Sequence, residues 1–170
     1  LQFPDGRKPR IYSMVESHRG DILLGTAGYG LYSVKNNGIE KTTNNRFTIK
    51  WERAYAERDS DVFFTHIYED KHHYLWQSSH LSTFTRFIEQ QGKVQRKDFK
   101  SPCGAPVAFI QHRPQTMLIV CMYGIVYYDY QTGRIADAGY DFGGYQNNVT
   151  INNATFDHEG NLYIRTTISG

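Results

Sequence analysis

The 170 residues carry 19 Lys or Arg against 17 Asp or Glu, a formal net charge of +2, so the chain lacks the basic stripe or tail that drives nucleic-acid or anionic-membrane binding by bulk charge. A hydrophobic content of 39% and an aromatic content of 15% can offset the entropy of ordering, which excludes a disordered chain, and 13 Tyr with 10 Phe point to strands. The longest uncharged apolar run, Met117 to Tyr128, is 12 residues, short of the roughly 20 that a helix needs to cross a bilayer.

In chain order, the first segment, Ile11 to Tyr32, reads IYSMVESHRGDILLGTAGYGLY. An alternating run, in which Tyr12, Met14 and Glu16 alternate with Ser13, Val15 and Ser17, predicts an innermost strand packed on both sides. A Gly20-Asp21 turn leads into a second apolar run ending at Gly25-Thr26. A third strand is expected over Leu31–Lys35, a hairpin turn at Asn36-Asn37-Gly38 and a fourth strand over Arg46–Trp51. The same grammar returns at Thr65 to Phe84, with a His72-His73 turn, a third strand over Leu81–Phe87, a turn at Gln90-Gln91-Gly92 and a fourth strand over Val94–Phe99. It returns at Ala108 to Tyr128, with turns at Arg113-Pro114-Gln115 and Gln131-Thr132-Gly133 and later strands over Ile125–Tyr130 and Ile135–Phe142. A truncated copy, Asn153 to Gly170, turns at Glu159-Gly160-Asn161. No stretch repeats at 3.6 residues over a usable length, so no helix is expected.

The register of the copies can be checked. With Thr26, Ser79, Cys121 and Thr166 taken as equivalent, Leu23, Trp76, Leu118 and Tyr163 all stand three residues earlier, and Met14, Ile67, Phe109 and Ala154 twelve earlier. The spacings are 53, 42 and 45 residues. A period near 40 to 50 with strand patterning is the signature of propeller blades, each a four-stranded antiparallel sheet. The expectation is an all-β chain of about 14 strands: one partial β-propeller over residues 1–170, with blades near 10–57, 61–103 and 106–146 and a half-blade over 149–170. Leu23, Trp76, Leu118 and Tyr163 are expected to be buried between blades.

The repeated pattern "apolar-x-x-Asp-x-x-Gly-Asn-Leu-Trp-Ile-Gly-Thr-x-x-Gly-Leu" resembles the two-component regulator propeller repeat. Gly25-Thr26-Ala27-Gly28-Tyr29-Gly30-Leu31 matches its central element. Glu69-Asp70-Lys71 with Leu75-Trp76, and Asp157-His158-Glu159-Gly160-Asn161-Leu162-Tyr163-Ile164, match its first half. The third copy has lost the acidic turn but keeps Tyr123-Gly124-Ile125, and the second carries Ser79-His80-Leu81 in place of Gly-Gly-Leu. The resemblance implies the periplasmic sensor region of a hybrid two-component system protein, with propellers of about seven blades of which this chain holds about three and a half. It also implies an oligosaccharide ligand, a kinase outside this segment and no catalysis by the segment itself.

No Gly-x-Ser-x-Gly elbow or comparable nucleophile motif occurs. Glu69-Asp70 and Asp157 fall at equivalent turn positions, where an aspartate bonds its own backbone two residues on. His66, His72, His73 and His80 cluster in sequence, but the blade puts His72 and His73 about 20 Å from His80 along the intervening strand, too far to share an ion; no metal or cofactor is expected. Thr26-Ala27-Gly28-Tyr29-Gly30 lacks the Lys, the glycine spacing and the following helix of a phosphate loop. Cys103 and Cys121 are too few for a disulfide framework, and whether they form a single bridge stays open. The chain opens at Leu1 with no basic-then-apolar leader, which reads as a cytosolic protein or as a piece of a longer exported one.

What remains is the face of a propeller where the second-to-third-strand loops and the connections between blades emerge. Tyr29, His80 and Tyr123 fall in those loops, and Arg10, Arg58 and Asn147 in or beside the connections. Aromatic faces beside Arg and Asn suit a sugar, whose apolar ring face stacks while its hydroxyls take hydrogen bonds. Two other classes fit the same fold: a structural or protein-interaction module, and a propeller enzyme such as a polysaccharide lyase. An arc of blades has open edges, so the segment is expected to pair with neighbouring blades of a parent chain or to self-associate.

Overall fold

A computed structural model describes residues 8, 10–27, 30–41, 47–54, 65–79, 81–91, 93–140 and 149–168. Among these the chain is all-β, with 14 strands in chain order and no helix. β1 (Ile11–Glu16), β2 (Ile22–Thr26), β3 (Leu31–Lys41) and β4 (Phe47–Ala54) form one antiparallel sheet in sequential order. β5 (His66–Glu69), β6 (Leu75–Ser78), β7 (Thr83–Gln90) and β8 (Lys93–Lys100) form a second. β9 (Pro106–Arg113), β10 (Thr116–Cys121), β11 (Gly124–Asp129) and β12 (Ile135–Asp137) form a third, and β13 (Val149–Phe156) with β14 (Leu162–Ile168) a two-stranded fourth. Sequential order throughout is the up-and-down connectivity of propeller blades, and the fold is the expected propeller segment.

The strand register follows the sequence repeat. Thr26 pairs with Ile11, Cys121 with Pro106 and Thr166 with Ile151. Leu23 pairs with Val15, Leu118 with Ile110 and Tyr163 with Thr155. Every pair keeps the same separation in its own sheet, because one hydrophobic pattern fixes which residues face inward and a one-residue slip would turn that pattern to solvent.

Contacts divide the chain into two compact units, one of residues 1–77 and 86–97, the other of residues 78–85 and 98–170. In the first, Leu23, Leu31, Ile67, Leu75 and Phe87 form a buried cluster with Val15 against it. Trp76 is fully buried there and donates from Nε1 to Asp70 Oδ2 at 2.7 Å. In the second, Val107, Leu118, Val120, Ile125, Ile151 and Ala154 make the core. An aromatic ladder lies beside it: Phe84 stacks on Phe99 with centroids 5.1 Å apart, and Phe109 and Tyr128 meet these two rings edge-on.

Four expectations are corrected. Tyr163 is 58% exposed, although Leu162 and Ile164 on the same strand pack on the core. Tyr163 points to the opposite side of a two-stranded sheet, which no other strand among the described residues covers. Tyr12 and Met14 on β1 are likewise 52% and 66% exposed, alternating with partly buried Ile11, Ser13 and Val15, so β1 is packed on one side only. Third, Asn36-Asn37-Gly38 is not the hairpin turn. β3 runs on to Lys41, and the register shifts between Val34, opposite Trp51, and Ile39, opposite Ile49. The turn-forming residues are taken up as an irregularity inside the ladder. The fourth strand of the third sheet is also shorter than expected, ending at Asp137.

Candidate functional site

Each sheet has two working ends. At the loop end, Arg10 directly precedes β1 and is exposed, and its carbonyl accepts from the Ala27 amide at 3.0 Å. Tyr123 lies in the two-residue link between β10 and β11, its amide donating to the Cys103 carbonyl at 3.0 Å. Its ring is 62% exposed and lies over Gly104, whose φ is +89° and where a Cβ would meet Tyr123 Cδ2 at 2.8 Å. The glycine leaves room for the ring, which offers a flat aromatic surface to solvent. Tyr29, His80, Arg58 and Asn147 lie outside the described residues.

Cys103, whose carbonyl accepts that amide, and Cys121 are free thiols, the second fully buried. Ser101 Oγ lies 3.2 Å from Cys121 Sγ and 3.9 Å from Cys103 Sγ. A hydrogen bond between the two thiols holds the Cys103 pKa below its ordinary value and pushes that of Cys121 up, burial adding to the second effect.

At the turn end, within the first unit, one turn design recurs. The amide of Ser17 donates to Asp21 O and that of Asp70 to Tyr74 O, while Gly20 and His73 donate back to Ser17 O and Asp70 O. Asp70, 3% exposed, accepts the amides of His72 at 2.8 Å and Tyr74 at 3.0 Å on Oδ1 and the Trp76 indole on Oδ2. Asp157 in the second unit does the same for the amides of Glu159 and Asn161, at 2.9 and 2.8 Å. These carboxylates are turn caps, as their repeat position implies. The third position after the cap is left-handed: Gly20 at φ +77°, Gly160 at +86°, and His73 at +61°. A histidine therefore occupies a backbone conformation that favours glycine.

A cavity of about 660 Å³ opens between the first two turns, lined by Ser17, His18, Glu69, His73 and residues of β3, β7 and β8. Its ionic rim is paired: Lys35 Nζ lies 3.0 Å from Asp21 Oδ2, and Arg19 Nη2 lies 3.1 Å from Glu89 Oε1. At one wall Glu69, with a side chain only 8% exposed, receives the His18 amide on Oε1 and Oε2 at 3.2 and 3.3 Å. Its Oε1 also faces His18 Nδ1 at 2.5 Å and His73 Nδ1 at 3.2 Å. The two imidazoles stack, centroids 4.0 Å apart at 26°. Glu69 thus ties the turn of one sheet to that of the next. His18 stands outside the histidine run of residues 66–80 from which no metal site was expected, and it is the group that the sequence reading left out. The repeat register held the signal, since it aligns residue 17 with residue 70 and so sets these turns on consecutive sheets.

No family model matches the sequence, and no curated protein sequence matches it. Solved structures do. The extracellular domain of a putative hybrid two-component system from B. thetaiotaomicron superposes with a TM-score of 0.64 at 15% identity, over 91% of this chain and 20% of that one. The extracellular domain of a putative one-component system from the same organism gives 0.61 at 18% identity, over 92% and 22%. A catalytically inactive virginiamycin B lyase from Staphylococcus aureus, with quinupristin, gives 0.60 at 16% identity, over 96% and 50%. The chain spans between a fifth and a half of these proteins. At such identities the likeness shows the fold, a β-propeller-like array of antiparallel sheets shared with extracellular sensor domains.

Proposed function

We propose that the chain is a ligand-sensing propeller segment from the extracellular or periplasmic region of a two-component sensor, non-catalytic itself, and that its ligand is an oligosaccharide. The observation that carries the reading is the run of sequential antiparallel sheets, aligned over 91% of the chain with the extracellular domain of a putative hybrid two-component system. The exposed Tyr123 ring over Gly104 supports the choice of ligand, since a flat aromatic face accepts the apolar face of a pyranose. Arg10 supplies donors for hydroxyls. Tyr29, His80, Arg58 and Asn147 are proposed as further ligand contacts, and neighbouring blades of a parent chain or a second copy as the partners of the open sheets.

Calorimetric titration of the chain with a panel of neutral and acidic oligosaccharides tests this. Tyr123→Ala and Arg10→Ala should each weaken binding of the active member by about tenfold, the size of one lost stacking or charged hydrogen-bond contact. Lys35→Ala, at the turn end, should leave it unchanged. Binding lost only in the turn-end variant would reject the loop-end surface.

A second reading, a propeller enzyme, is favoured by the likeness to virginiamycin B lyase. Hydrolysis or elimination of any panel member by the purified chain would select it.

A further inference from the structure

We propose that His18 Nδ1, His73 Nδ1 and a carboxylate oxygen of Glu69 form a site for one divalent late first-row transition-metal ion, Zn²⁺ foremost, which staples the turns of two successive sheets. The inference is independent of the sensing reading. One ligand atom from each of His18, Glu69 and His73 lies within 4.8 Å of the other two. In a tetrahedral zinc site with bonds of 2.0–2.1 Å, ligand atoms stand about 3.3 Å apart. His73 Nδ1 and Glu69 Oε1 already stand at 3.2 Å. His18 Nδ1, at 2.5 Å from the same oxygen, needs to withdraw by less than about 1 Å to admit an ion.

The donor set selects the ion class. Two imidazoles and one carboxylate suit Zn²⁺, Cu²⁺ or Ni²⁺, whereas Ca²⁺ and Mg²⁺ want oxygen ligands alone. The ion takes the neutral form of each ring, and the stack, with centroids 4.0 Å apart, holds the two imidazoles side by side, each with Nδ1 toward Glu69. Where a neutral ring carries its proton on Nδ1 and donates to Glu69, ion binding moves that proton to Nε2 through solvent and leaves the Nδ1 lone pair facing the ion. The buried carboxylate is held by the His18 amide, so one ligand is fixed before the ion arrives. The neighbouring cations, Lys35 and Arg19, each pair with another carboxylate, Asp21 and Glu89 respectively. The remaining coordination position opens to the cavity and takes water.

His73 makes the site testable without loss of the fold, because its φ of +61° suits glycine and the matching turns carry Gly20 and Gly160. The untagged chain should take up one equivalent of Zn²⁺ in equilibrium dialysis with metal analysis, and its melting temperature should rise with added Zn²⁺. His73→Gly should fold at least as well as the parent yet bind Zn²⁺ at least about tenfold more weakly, with the thermal shift abolished. His18→Ala and Glu69→Gln should do likewise, while His72→Ala on the same turn should bind as the parent does. Failure of the parent chain to take up Zn²⁺, or equal uptake by His73→Gly, would overturn the proposal, as would loss of uptake in His72→Ala.

Discussion

Trp76 and Asp70 make the most consequential side-chain pair in the first unit. The indole is wholly buried, and its single donor is met by a carboxylate that also caps the turn leading into the strand carrying it. Removal of the ring leaves both a cavity and an acceptor without its indole donor. Trp76→Ala is therefore expected to cost roughly 3–5 kcal/mol in chemical denaturation. Trp76→Phe, which keeps much of the volume but not the donor, should cost less. A Trp76→Ala loss below about 1 kcal/mol would mean that the sheet faces do not pack on this residue.

Hairpins are the unit in which sequence and structure agree best. Three sheets share one pairing offset because the same inward-facing pattern recurs in each. The cap residues Asp70 and Asp157 were legible because an aspartate at a repeated turn position has little else to do. The Asp157 hairpin carries a pH prediction. Hydrogen bonds from Asn161, side chain first and then backbone, hold the Asp157 carboxyl below its ordinary value. A group depressed in the folded state contributes its stability above the unfolded value and loses it as pH falls through the folded one. The Asn161 amide resonance should therefore stay native-like through the ordinary carboxylate range and shift only at lower pH, and Asp157→Asn should abolish that titration. A midpoint at or above the ordinary carboxylate value would contradict the cap.

Two element-scale features were not legible. Asn36-Asn37-Gly38 has every local mark of a turn, yet β3 continues through it, because pairing with β4 resumes at Ile39 and outweighs local preference. The histidine pair on Glu69 joins residues 51 positions apart in the chain. No local window sees such a meeting; it exists only once consecutive sheets are packed. The same limit explains Tyr163, whose repeat position promised burial but whose side of β14 is open among the described residues.

For the molecule as a whole, behaviour in solution is expected to follow from the exposed sheet faces. Tyr12 and Met14 on β1 and Tyr163 on β14 present apolar surface where a propeller places a neighbouring blade. The isolated chain is accordingly expected to self-associate at micromolar concentration in sedimentation velocity, and Met14→Lys with Tyr163→Lys should shift it toward monomer. A well-behaved monomer with a high melting temperature would show that those faces need no partner. The most direct test of the sensing account is one experiment: calorimetric titration of the chain with the oligosaccharide panel, followed by mass spectrometry of the recovered sugars. The account predicts saturable binding of at least one oligosaccharide, weakened by Tyr123→Ala, with the sugar recovered intact. Saturation by none of them, or recovery of a shortened or unsaturated product, would contradict it.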